Sequence, residues 1–229
     1  MKIIADCRLG GDSIQGLMDT NSPSQILLPN IQALLVTLLF CSKPRQLLDL
    51  GSGCGSIERF CIKKLPDVMI TSLESTEVII QLAKEFLIGD ECQIVNTSAE
   101  VFLASEKRSY DITLCDIFNS EEHPVCLYDD AFYKNMDNSL NNKGVLAINV
   151  LSESEHNMLR ILSLMKNHFD NISCLEVPDY FNVILFTSNF RLPEITDLEI
   201  YAEQYLNKTD LDLRDLTKKS NRVVEEIST

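Results

Sequence analysis

From Gln46 to Thr187, short apolar runs alternate with longer stretches in which apolar positions recur every three or four residues. The first pattern is that of a buried strand and the second that of an amphipathic helix. Their regular alternation predicts β-α-β units on a largely parallel sheet. Strands are predicted over Gln46–Leu50, Val68–Leu73, Cys92–Asn96, Asp111–Asp116, Val145–Val150, Ile172–Val177 and Val183–Thr187. Helices are predicted around Ile57–Lys64, Thr76–Leu87, Ala99–Ala104, Asp130–Leu140 and Glu153–His168. The last two strands follow each other closely enough to be antiparallel neighbours. The expected class is therefore α/β, a seven-stranded, mostly parallel sheet with helices on both faces.

The flanks read differently. Residues 1–30 contain Gly10, Gly11, Gly16, Pro23 and Pro29, which predicts a short N-terminal cap or hairpin, followed by a helix over Pro29–Phe40. Residues 31–190 are expected to form the main domain. Residues 191–229 are more polar and read as a C-terminal extension with helices over Asp197–Leu206 and Leu211–Lys218 and a frayed end over Ser220–Thr229.

Composition narrows the partners. With 20 Lys and Arg against 34 Asp and Glu, the formal charge of −14 argues against tracking a phosphate backbone or an anionic membrane surface. The longest apolar run, Ile31–Cys41, is interrupted by Gln32 and Thr37 and falls short of the roughly 20 residues that cross a bilayer. The N-terminus lacks a basic region followed by an apolar core and a cleavage site, so a cytoplasmic location is expected. Eight cysteines are scattered without a C-x-x-C pair, and the three histidines show no ligand spacing, so reduced thiols and no metal are expected.

The strongest local signal is Leu47-Leu48-Asp49-Leu50-Gly51-Ser52-Gly53-Cys54-Gly55, an apolar strand that runs into a G-x-G-x-G turn and then a helix. Such a turn lets a ligand approach the backbone closely at the carboxyl end of the first strand. Glu74 ends the second strand, where an acidic side chain can accept hydrogen bonds from both ribose hydroxyls. Ser56 stands where a dinucleotide fingerprint needs its third glycine, and no G-x-x-x-x-G-K-[ST] loop exists, so neither NAD nor a P-loop nucleotide is indicated.

The G-x-G-x-G turn with acidic Asp49 inside the strand resembles motif one of the Rossmann-like class I S-adenosylmethionine-dependent methyltransferase fold. The likeness narrows further along, where Tyr110-Asp111-Ile112-Thr113-Leu114-Cys115-Asp116 precedes Leu127-Tyr128-Asp129-Asp130-Ala131-Phe132-Tyr133 and then Leu140-Asn141-Asn142-Lys143-Gly144-Val145. That order is similar to spermidine synthase and its relatives. In that family the fourth strand ends in an acidic residue, a loop closes over the site, an aromatic pair opens the next helix and a Gly starts the fifth strand. Asp116 matches the acidic position, and the likeness covers roughly positions 20 to 190. Three positions depart from the family: Cys54 and Ser98 stand where it carries Asp, and Asn119-Ser120 where it carries a second Asp followed by Pro.

The resemblance implies a transferase whose co-substrate is S-adenosylmethionine or its decarboxylated form. The nucleoside would be bound by Asp49, Gly51, Ser52, Gly53, Gly55, Glu74 and Ser98. Asp116 would be the catalytic carboxylate, with Tyr110, Asn119 and Tyr128 beside the second substrate. Implied partners are a small-molecule acceptor, a polyamine among the candidates, and a second copy of the chain. Two alternatives stand beside aminopropyl transfer: methyl transfer in the same crevice, where the N–H groups of Gly51–Gly55 could receive the donor's carboxylate, and a non-catalytic nucleoside-binding or interaction protein. Asp129-Asp130 reads as a helix cap.

Overall fold

A computed structural model describes residues 4–8, 14–84, 93–118, 123–152, 154–193, 195–218 and 220–222. β1 (Ile4–Arg8) and β2 (Ile14–Asp19) form a separate antiparallel hairpin. The main sheet is built from β3 (Gln46–Leu50), β4 (Met69–Glu74), β5 (Ile94–Asn96), β6 (Tyr110–Cys115), β7 (Leu140–Leu151), β8 (Asn171–Glu176) and β9 (Asn182–Ser188). These are the seven strands legible in the alternation. An eighth, β10 (Ser220–Arg222), pairs antiparallel with β8 where a frayed end was expected.

The sheet order is β10-β8-β9-β7-β6-β3-β4-β5. The five strands β5, β4, β3, β6 and β7 are mutually parallel, and β9 lies antiparallel to both β7 and β8. The chain winds outward from β3 to β5, then crosses back to place β6 on the other side of β3. This reversal is the topological switch point at which open α/β sheets leave a crevice beyond the strand carboxyl ends.

Helices cover both faces because the strands are apolar on both faces. Leu47, Ile112, Leu114, Val145, Ala147, Ile184 and Phe186 pack with α1 (Pro29–Leu34), α2 (Ser56–Lys64) and α7 (Ile195–Thr209). On the opposite face Leu48, Leu50, Leu146, Ile148 and Leu185 pack with α4 (Ala99–Ser105), α5 (Asp130–Ser139) and α6 (Glu155–Lys166). α3 (Glu77–Ala83) sets Ile80 and Ala83 on Ile94 of β5. The short α8 is Arg214–Thr217.

The first helix differs from the periodicity. The apolar run after Pro29 stays α-helical only to Leu34 and tightens into a 3-10 turn over Leu35–Leu39. All five residues of that turn are buried, so tertiary packing rather than propensity sets its shape. Asp129 caps α5 as expected, its Oδ1 accepting the Ala131 N–H at 3.0 Å.

β7 starts five residues earlier than predicted. Asn141, Asn142 and Lys143 fall between the predicted helix and the predicted strand, yet they lie in the strand. Tyr110 faces Leu140 whereas Ile112 faces Val145, so the extra residues bulge out between these pairs. Gly144 allows the return, because a Cβ there would stand 2.8 Å from the Tyr110 carbonyl oxygen. The bulge is anchored by Asp111, whose Oδ1 accepts from Asn141 Nδ2. Its Oδ2 accepts the Arg45 and Gln46 N–H groups at 2.7 and 2.9 Å.

One carboxylate thus ties the starts of β3, β6 and β7 together. Asp111→Ala leaves two backbone donors and an amide without this acceptor. Its unfolding free energy in urea is expected to fall by about 1–3 kcal/mol, whereas Asp111→Asn, which keeps one acceptor, falls by less.

Candidate functional site

β3 ends by entering the turn Gly51–Gly55, in which Gly51, Gly53 and Gly55 take φ of 99°, 52° and 73°. Gly51 faces the hardest constraint. A Cβ there would overlap the Asp116 carbonyl oxygen and press on Ile117. Only glycine lets β3 and β6 end this close together.

The turn is held from within. Gly51 and Ser52 N–H both donate to the Leu73 carbonyl at 3.0 and 2.8 Å, and Gly55 N–H donates to Ser52 O at 3.0 Å. Gly53 N–H donates to Glu74 Oε2 at 3.2 Å, while Glu74 Oε1 accepts the Thr76 N–H at 2.8 Å. Four of the five N–H groups from Gly51 to Gly55 are therefore already engaged. Arg59 secures the turn from the helix behind it: its Nη1 donates to Cys54 O at 2.7 Å and its Nε to Pro23 O at 2.9 Å.

Glu74 closes β4 and pairs in register with Asn96, so Ser98, two residues on, lies half-buried at the same sheet edge. Asp116 follows the last residue of β6. Its N–H donates to Leu50 O at 2.9 Å, and its Oδ1 accepts from Asn149 Nδ2 at 2.8 Å. Burial pushes the Asp116 carboxyl up to about 6, with the Asn149 hydrogen bond acting against the rise.

Beneath the turn, Asp49 of β3 and Glu58 of α2 are both fully buried. The two carboxyls lie close enough to share a proton, and beyond each other neither has a hydrogen-bond partner among the described residues. Burial raises Asp49 well above the usual carboxylate range, and the charges of Glu58, Asp116 and Glu74 add to the rise. Four carboxyls thus bear on one small volume. The nearby cation, Arg59, is directed at backbone carbonyls and at Ser56 Oγ.

The carboxyl ends of β3, β4, β5 and β6 therefore bring Gly51, Ser52, Gly53, Gly55, Glu74, Ser98 and Asp116 to one edge of the sheet. Two expectations need correction. Tyr110 opens β6 at the opposite end, about 20 Å from Asp116 at ~3.3 Å per residue. It is fully buried and its hydroxyl donates to Glu106 Oε2 at 3.0 Å, so it does not border the crevice. Asp49 has no exposed surface and lies under the turn rather than in contact with the crevice. Asn119 falls outside the described residues. Tyr128 is half-buried, its hydroxyl 2.9 Å from His123 Nδ1, and His123 Nε2 accepts the Leu151 N–H at 2.7 Å at the end of β7.

Asn149 and Glu58 were not singled out from the sequence. Asn149 is the one polar residue between Gly144 and Leu151, placed one register step beyond the Cys115–Ile148 pair and hence beside Asp116. That interruption of an apolar strand was the available signal. Glu58 carried none, because a first-turn Glu is common on exposed helices.

The sheet order, the switch-point crevice and the glycine turn define a class I methyltransferase fold. The chain belongs to the methyltransferase small domain family, whose model matches residues 19–185. A polyamine aminopropyltransferase of Neisseria meningitidis serogroup A is 24% identical over 216 residues, 91% of this chain and 82% of that protein. A probable spermidine synthase from Corynebacterium glutamicum shares the fold with a TM-score of 0.74 at 14% identity, covering 95% of this chain and 88% of that one. Human methyltransferase-like protein 13, solved in complex with SAH, gives a TM-score of 0.66 at 17% identity over 88% and 94% of the two chains.

Gly51→Ala tests the close approach. The clash and the left-handed φ are expected to cost at least about 1 kcal/mol of stability, and nucleoside binding should fall by at least about tenfold. Binding is read by calorimetry with methylthioadenosine on the folded fraction.

Proposed function

We propose that the protein is a cytoplasmic transferase that moves an aminopropyl group from decarboxylated S-adenosylmethionine to a small amine. The likeness to polyamine aminopropyltransferases supports the reaction class. The observation that carries the choice of donor is electrostatic: Glu74 and Asp116 stand at the strand ends beside the turn, and the N–H groups of Gly51, Ser52, Gly53 and Gly55 are already engaged. A methionine carboxylate placed there would meet like charge and few donors, whereas a donor that is cationic throughout would be attracted.

The residues fit such a nucleoside. Gly51 lets the ends of β3 and β6 meet, and Glu74 retains lone pairs for two ribose hydroxyls beyond its two backbone partners. Ser98 would serve the adenine end. The bound sulfonium supplies an electrophilic carbon and a neutral thioether leaving group. Asp116 orients the acceptor's ammonium group and takes a proton from it, which frees the nitrogen lone pair; that pair forms the C–N bond as the C–S bond breaks and the electrons of the broken bond stay on sulfur. Its raised proton affinity makes it a better base than an ordinary aspartate. Tyr128, and Asn119 in the adjoining segment, would flank the acceptor. A cytoplasmic site agrees with the thiols at Cys41, Cys115, Cys126 and Cys174.

One observation favours methyl transfer instead: Cys54 occupies the turn where aminopropyltransferases carry Asp. The product separates the two readings. Incubation with either donor and putrescine should release methylthioadenosine from the decarboxylated donor. Release of S-adenosylhomocysteine from S-adenosylmethionine, with no methylthioadenosine, would replace the proposal by methyl transfer.

Two outcomes follow for Asp116. The ionised carboxylate is the active form, so kcat/KM should rise with pH through about 6 and level off above it. Asp116→Asn should cut turnover at least about tenfold. Because burial lifts this group from 3.8 to about 6, the folded state binds its proton more tightly than the unfolded chain, and stability falls as pH climbs through that window. Asp116→Asn keeps an acceptor for Asn149 and removes the buried charge, so at pH 7 its melting temperature should equal or exceed that of the parent.

A further inference from the structure

Asn149 is buried to 1% exposure, and its amide is held on both sides. Its Nδ2 donates to Asp116 Oδ1 at 2.8 Å, and its Oδ1 accepts from Asn182 Nδ2 at 3.0 Å. The orientation of this amide is determined by chemistry. A carboxylate oxygen only accepts, so Asn149 must turn its NH2 toward Asp116, and its carbonyl oxygen then needs a donor on the far side. Asn182, the first residue of β9, supplies it from across the antiparallel β7–β9 pair, where Asn182 faces Leu151 and Ile184 faces Asn149. Asn182 also lines a cavity of about 650 Å³ beside the β8–β9 turn, so the far end of the chain of amides opens to solvent.

We propose that Asn182 is a positioning residue, which fixes the Asn149 amide so that its N–H points at Asp116 Oδ1 and the carboxylate is presented to the crevice in one orientation. The inference rests on the role assigned to Asp116 above. The ionisable groups around Asp116 are Cys115 on its own strand and Asp49 on β3, with Glu74 of β4 acting on Asp49. From β7 the facing residue is the neutral Asn149. His123, at the end of β7, is engaged with the Leu151 N–H and the Tyr128 hydroxyl. Among the described residues, the Asn149 amide is the polar side-chain contact that β7 makes to Asp116, and its direction matters.

The test reads the Asp116 carboxyl directly, by 13C NMR titration of the full-length protein without substrate. In the parent the midpoint should lie near 6. Asn182→Asp reverses the relay, because a carboxylate at 182 draws the Asn149 NH2 toward itself and turns its oxygen onto Asp116. Its midpoint should rise by about one pH unit or more. Asn182→Leu removes the donor without adding charge and should raise the midpoint by less. In an Asn149→Ala background, Asn182→Leu should add no further change, since the linking amide is gone. An unchanged midpoint in Asn182→Asp, or the same shift from Asn182→Leu with and without Asn149, would overturn the positioning role. Where the relay titrates as expected but no variant or parent protein transfers an aminopropyl group, the functional reading fails and the positioning role stands.

Discussion

The contact between Gly51 and the Asp116 carbonyl governs the architecture of the crevice. β3 and β6 run parallel and adjacent, and their carboxyl ends must separate to leave a crevice, yet the Asp116 N–H remains bonded to Leu50 O. The glycine absorbs this proximity by taking a left-handed φ and offering no Cβ. Everything beyond it is placed in consequence. The turn that follows is pinned to β4 through Leu73 and Glu74, and the end of β6 is pinned to β7 through Asn149. The crevice is therefore framed by four strand ends in fixed relation.

Electrostatics then decides what such a frame can hold. Asp49 and Glu58 are buried beneath the turn without a matching cation at hydrogen-bonding distance, a costly arrangement unless protons or a bound cation offset the charge. Asp49 meets this in part by retaining its proton to higher pH. A sulfonium donor bearing a free ammonium group would offset it further. Stability and binding are linked in this way: the charge that is costly to bury beneath the turn is the charge that attracts a cationic ligand.

Much of this was readable before the fold. The seven strands, the switch-point turn and the acidic ends of β4 and β6 follow from periodicity and from the Gly51–Gly55 spacing, because both reflect local rules. Tyr110 shows where local rules end. It is close to Asp116 in the sequence, but a strand separates its two ends by its full length. The early start of β7 was hidden for another reason: polar residues such as Asn141 and Lys143 enter the sheet only because Asp111 and Gly144 make the bulge fit. The Asn182–Asn149–Asp116 chain depends on the register of three strands, and no single segment announces it.

The central claim is that the charge of the crevice selects the donor. The direct measurement is calorimetric titration of the purified protein with S-adenosylmethionine and with its decarboxylated form at the same pH and ionic strength. The decarboxylated donor should bind at least about tenfold tighter, a difference of ~1.4 kcal/mol. Equal affinity, or tighter binding of S-adenosylmethionine, would contradict the account.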